Sequence, residues 1–289
     1  MRNKSAIPLF SIAATCLISA AYPGVLAAQT PGSGLAGTAA GPLTYADLTD
    51  LSDASSLVAV VRIRSIIALP PERAGTVPQG YRRLYIEADV DSLIRGDGGI
   101  SPSVRYLYDA PVNARGKLPK LKKARMILFA TRGARPGDIQ LVARDAQIPA
   151  DPATVEQVKA ILSGLVANGA PPRITGVGDA FHVKGTVAGE SETQIFLRTE
   201  NGDPVSLSIL RRPGQQPRWA VALGEIVDEA AAPPAPGSLL WYRLACSLPA
   251  ALPAPSVRAL APGDADAARA DYALVMQALG PCERRRTLP

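Results

Sequence analysis

Proline limits this fold more than any other residue. The chain carries 27 prolines in 289 residues, roughly twice the ~5% of an average protein. Each proline fixes φ and removes a main-chain donor, so many short elements joined by turns are expected, rather than long helices. With 47% of its residues hydrophobic, the chain can bury a core, and a wholly disordered chain is excluded. A single histidine rules out any site that needs two imidazoles.

The N-terminus reads as an export signal. Arg2 and Lys4 are followed by an uncharged apolar stretch from Ile7 to Ala21, broken by Pro23 and Gly24. Val25-Leu26-Ala27-Ala28 supplies the small residues of a cleavage site after Ala27 or Ala28. The stretch is short of the ~20 residues that span a bilayer, so a cleaved signal over 1–28 is expected rather than an anchor, with no transmembrane span after its removal. Ala13-Ala14-Thr15-Cys16 is a poor lipoprotein signal. The protein is therefore expected in the periplasm or outside the cell. Cys16 leaves with the signal. Cys246 and Cys282 remain, and in an oxidising compartment a disulfide between them is expected, the alternative being two buried thiols. Loss of Arg2 and Lys4 takes the net charge from +6 to +4, which is only mildly basic. Nucleic acid is not an expected partner there, whereas an anionic envelope surface is compatible.

Residues 29–42 are rich in Gly, Ala, Thr and Pro and read as a flexible linker. They hold a formal GxGxxG, Gly32 to Gly37, without the preceding strand that a dinucleotide site needs. Thr44 with Asp47 forms a capping box for a helix to about Ala54. Apolar and alternating runs predict strands over 57–66, 83–93, 103–110 and 125–131, with 139–144 as the hairpin partner of the last. Asp151-Pro152 starts a helix whose face is Val155, Val158, Ile161, Leu162 and Leu165. Strands follow over 180–187, 194–199, 205–210 and 218–223, with Asn201-Gly202 as a hairpin turn. Ser238 caps a helix to about Cys246, and Asp264 caps a last one that ends at Gly280-Pro281. The expected fold is mainly β (α+β). An OB-like small barrel with a closing helix covers 43–170, an antiparallel meander 171–230, and a helical tail with the disulfide 231–289.

The helix from Asp47, the strand Leu57 to Ile63, the turn Leu93-Ile94-Arg95-Gly96 and the strand Met126-Ile127-Leu128-Phe129 together resemble the pattern of small exported OB-like or netrin-like barrels. With the segment Gly189 to Leu197 and the Cys246/Cys282 tail, the whole chain resembles uncharacterised exported proteins of alphaproteobacteria. The resemblance implies a barrel and export, and no activity.

Few residues offer chemistry. His182 sits in a predicted strand with no GxSxG or SxxK partner and reads as a packed residue. One histidine and two paired cysteines leave no expected metal site, and no cofactor is expected. Glu190 and Glu192 flank Ser191 and are the best candidates for carboxylate catalysis, although i and i+2 on a strand stand side by side. Lys117, Lys120, Lys122, Lys123 and Arg125 form the densest basic run. Joined by Arg132 and Arg135, they are candidates for binding an anionic glycan or lipid headgroup. Tyr106, Tyr108, Trp219, Trp241 and Tyr242 read as core residues or the lining of a groove. Arg284-Arg285-Arg286 reads as a frayed end. The expected function is a non-catalytic binding or scaffold module whose partner is an unknown envelope component. The alternatives are an envelope hydrolase using Glu190 and Glu192, and an inhibitor or assembly partner that acts through a barrel edge.

Overall fold

The computed structural model describes residues 43–224 and 232–286. The expected signal peptide, the linker with its GxGxxG, and Cys16 lie outside the described residues. Among the described residues no helix is long and apolar enough to cross a membrane.

The first half is a nearly closed antiparallel barrel. Helix α1 (Tyr45–Ala54) precedes strands β1 (Leu57–Ala68), β2 (Tyr81–Arg95), β3 (Ser103–Pro111), β4 (Arg125–Arg132), β5 (Ile139–Leu141) and β6 (Gln147–Pro149). The sheet order is β3-β2-β1-β4-β5, with β6 also paired to β4. One parallel bridge, Arg105 with Asp138, joins β3 to β5 and brings the sheet round on itself. Leu57 to Val61 are all buried because β1 is covered on both faces. Leu57, Ala59, Val61 and Ile63 point into the barrel. Val58 and Val60 point out, under Leu48 and Leu51 of α1 and Val158, Ile161 and Leu162 of α3 (Pro152–Val166). β4 does the same, with Met126 and Leu128 inside and Ile127 and Phe129 beneath the helices. α1 starts at the expected capping box, in which Thr44 Oγ1 accepts from Asp47 N (3.1 Å) and Asp47 accepts from Thr44 N (3.0 Å). α3 starts where Asp151 accepts from Thr154 N (3.0 Å).

The second half is the meander β7 (Ile174–Lys184), β8 (Ser191–Thr199), β9 (Val205–Arg211) and β10 (Arg218–Ala222), in the order β10-β9-β8-β7. One face carries Val177, Ile195, Leu207, Ile209 and Val221. It packs against α4 (Leu239–Ala245), a short 3₁₀ turn (Ala254–Val257) and α5 (Pro262–Leu279). Cys246 and Cys282 are bonded, tying the end of α4 to the segment after α5.

Four local expectations change. The β1–β2 loop holds a one-turn helix, α2 (Pro71–Ala74). β7 begins at Ile174, not at Ala180. α5 begins at Pro262, so Asp264 lies in its first turn and pairs with Lys184 (3.1 Å) instead of capping it; proline's fixed φ suits the first helical position. The C-terminal arginines are not frayed. Arg284 donates to Asp50 through Nε (2.6 Å) and Nη2 (2.9 Å). Arg285 N and Arg286 N both donate to Asp47 Oδ1 (2.9 Å each), and Arg286 pairs with Asp145 (2.5 Å). The disulfide delivers this segment to α1, where Asp47 and Asp50 receive it.

Candidate functional site

The basic run occupies the connection between β3 and β4, residues 112–124. Its shape is set by two leucines. Leu121 is buried in the barrel core, and Leu118 packs against that core. With those side chains turned inward, Lys117, Lys120, Lys122 and Lys123 are left exposed. The connection is rigidly held. Asn113 Oδ1 accepts from Arg115 N and Lys117 N (2.9 Å each), and Asn113 N donates to Lys117 O (3.0 Å). Lys123 N donates to Ile63 O (2.8 Å), while Ile63 N donates to Ala124 O (3.0 Å). Among the described residues Lys123 is the one non-glycine with positive φ, at 68°. A lysine in that conformation costs free energy and persists where surrounding contacts fix it. Exposed Arg82, opposite Ala110 at the end of β3, and Arg115 add charge to the same end of the barrel.

The other members of the expected cluster are elsewhere or engaged. Arg125 donates to Asp91 through Nε (3.0 Å). Arg132 closes β4 at its far end, about 24 Å along a seven-step strand. There Arg132 and Arg135 line a cavity of about 610 Å³ walled by Gly98, Gly99 and Gly133. Arg132 donates to the carbonyls of Asp97 and Gly99, so it braces the β2–β3 turn. The two arginines therefore do not belong to the lysine surface.

Glu190 and Glu192 line one cleft of about 410 Å³ at the β7–β8 hairpin, together with Lys184, Arg211 and Arg212. Glu190 lies over Gly185, where even a Cβ would meet its carboxylate at 2.5 Å. Glu192 is exposed. Asp89 and Asp91 are taken up by Arg64 (3.0 Å) and Arg62 (3.2 Å).

His182 closes a hydrogen-bonded chain. Arg211 donates to Asp271 Oδ1 through Nε (2.6 Å), Thr193 donates its hydroxyl hydrogen to Asp271 Oδ2, and His182 Nδ1 lies 2.8 Å from Thr193 Oγ1. Because the threonine hydrogen is committed to the carboxylate, His182 must donate through Nδ1. Thr193 and Asp271 are wholly buried, so the chain anchors α5 on β8 and β9. Trp241, Tyr242 and Tyr106 are buried, and Trp219 packs against the meander core. Tyr108 borders a cleft beside β5, and its hydroxyl is pushed up to about 12, first by burial and then by Tyr81 and Asp145.

Sequence reasoning missed the buried acidic face of α1. The signal was present: Asp47, Asp50 and Asp53 stand three apart on a capped helix, a spacing that puts them on one side. Asp53 takes Arg243 (2.8 Å) and Arg173 (3.0 Å). The chain matches no protein-family model, and no curated protein resembles it at a significant level.

Proposed function

We propose that the protein is a binding module of the cell envelope that docks on an anionic surface through the lysine-bearing end of its barrel. One observation carries this. Four lysines project from a connection pinned by Leu121, and one of them is held in a left-handed conformation that lysine otherwise avoids. Basic side chains fixed on a rigid frame bind an anionic surface with little loss of backbone entropy. The charged and then apolar N-terminus, and the resemblance to exported alphaproteobacterial proteins, support placement in the envelope.

Vesicles containing one-fifth phosphatidylglycerol and a soluble polyuronate are the two probes. Each lysine near an anionic surface is worth about 1 kcal/mol. Replacing Lys117, Lys120, Lys122 and Lys123 by serine should therefore weaken binding roughly a hundredfold or more, and salt should weaken binding of the unaltered protein. Vesicle binding identifies a lipid headgroup as the source of the anion, and polyuronate binding identifies a glycan. Failure to bind either at low salt, or equal binding by the four-serine variant, overturns the proposal.

A further inference from the structure

The outer face of the meander leaves large apolar side chains in solvent. Its inner face packs against α4 and α5, so alternate residues of each strand point the other way. The strand register sets those residues in rows. Val183, Glu192, Leu210 and Arg218 form one row, and Phe181, Gln194, Ser208 and Ala220 the next. Phe196 stands beyond them, opposite Ser206. Phe181 is 52% exposed and Val183 66%. Phe196 and Leu210 are exposed too, and the two phenylalanine rings meet edge-on with centroids 5.8 Å apart. Monomeric proteins seldom leave such side chains grouped in water.

The charges of the first row identify what covers the face. Glu192 and Arg218 are both exposed, and neither side chain has an ion-pair partner among the described residues. They stand on either side of Leu210, each one strand spacing of about 4.8 Å away. A two-fold axis laid along β9, in the plane of contact, therefore sets Leu210 against its own copy. The same rotation brings Glu192 over Arg218 of the second copy, and Arg218 over Glu192 of the second copy. Every contact is made twice, as a two-fold interface requires. In the next row, Ser208 meets its own copy and Gln194 comes over the small Ala220.

We propose that the protein forms a symmetric dimer through the outer face of the meander, β9 on β9, with two Glu192–Arg218 pairs flanking a central Leu210 contact. A second copy fits because the face is its own charge complement. A uniformly acidic partner leaves Glu192 unpaired, and a uniformly basic one leaves Arg218 unpaired. The size of the face sets the strength. Four strands span roughly 19 Å by 20 Å, so two faces supply about half of the ~1,600 Å² of a stable complex. The dimer is thus of the weak, reversible class, half-formed at a concentration on the order of 100 μM. The face shares no residue with the lysine-bearing connection and takes a different partner.

Sedimentation velocity of the purified protein, from about 1 μM to about 1 mM at about 0.15 M salt, reads the association. The sedimenting mass should rise towards twice that of the monomer over this range. Glu192→Arg and Arg218→Glu should each weaken dimerisation at least about tenfold, because each sets like charges face to face twice. Mixed in equal amounts, the two variants should recover dimers, since both pairs in the mixed dimer again join opposite charges. Leu210→Lys should weaken association in every combination. All these side chains are exposed, so the variants should keep the melting temperature of the unaltered protein. The four-serine variant should dimerise as the unaltered protein does, so failure of the anionic-surface proposal remains distinguishable from failure of this one. A monomer at every concentration, a charge-reversed variant that dimerises alone as tightly as the unaltered protein, or a mixture that stays monomeric overturns the proposal. Loss of dimers in the four-serine variant overturns it too, because the contact then belongs to the lysines.

Discussion

Asp47, Asp50 and Asp53 decide at the residue scale how the two halves of the protein hold together. Burial alone would push the Asp47 carboxyl up. Main-chain hydrogen bonds from Thr44, Arg286 and Arg285 outweigh it and hold the group below its usual range. Asp53 is also raised by burial, and the hydrogen bond and charge of Arg243, with Arg173, bring it down. A carboxyl depressed in the folded state adds stability above its ordinary value near ~3.9 and loses it as pH falls through the folded value. The melting temperature should therefore fall as the pH drops below about 4, and Asp47→Asn should flatten that fall; identical acid limbs in the two proteins would refute the role of Asp47. Asp50→Ala strands the Arg284 guanidinium and the Tyr242 hydroxyl, which donates to Asp50 (2.5 Å). A loss of about 3 kcal/mol is expected by urea denaturation, and a change within error would show that the tail is not a clamp. The three-residue spacing of these aspartates is visible in the sequence. Their partners are not, because Asp50 and Arg284 are 234 positions apart.

Among the elements, the best legible are those whose signals are local. The Thr44 and Asp151 caps act over three residues, and both helices begin where those residues dictate. Asp151→Ala should cost about 1 kcal/mol, and an unchanged unfolding midpoint would count against the cap. β6 was missed because Gln147-Ile148-Pro149 has no periodicity of its own; it is a strand because Met126, Ile127 and Leu128 lie opposite. The connection bearing the lysines trades stability for charge display. Lys123→Gly should stabilise the protein by about 1 kcal/mol through relief of the left-handed backbone, while it lowers vesicle affinity. Stabilisation without loss of affinity would remove Lys123 from the site. The disulfide closes a separation of 36 residues, worth about 4 kcal/mol on the loop-entropy model. Reduction should lower the melting temperature and speed amide exchange at Arg284 and Arg286. Unchanged exchange there would show that α1 alone retains the tail.

Taken whole, the molecule is knit by α1, which gives Ala46 to the meander core and Leu48 and Leu51 to the layer over β1 and β4. Both tryptophans pack in the meander core, with Trp241 also edge-on to Tyr45 of α1, so their fluorescence reports that half and its contact with α1. Leu128→Ala, deep in the barrel, should cost about 3 kcal/mol and should shift the tryptophan transition if the halves unfold as one. A tryptophan midpoint that does not move would mean two separate folding units. The succession of strands, the Thr44 and Asp151 helix starts and the cysteine pair were determined by the sequence alone, because patterning, capping and cysteine chemistry act within a few residues or through one reactive pair; the expectation of short elements was not met, since β1, β2 and α5 run to 12, 15 and 18 residues. Tertiary structure decided the rest. It separated Arg132 and Arg135 from the lysines by the length of β4, drew the terminal arginines onto α1, and brought β3 to β5 through a parallel bridge at Arg105. Those outcomes depend on how far apart the strands finish in space, and a main-chain group records nothing of that distance in the identity of its residue.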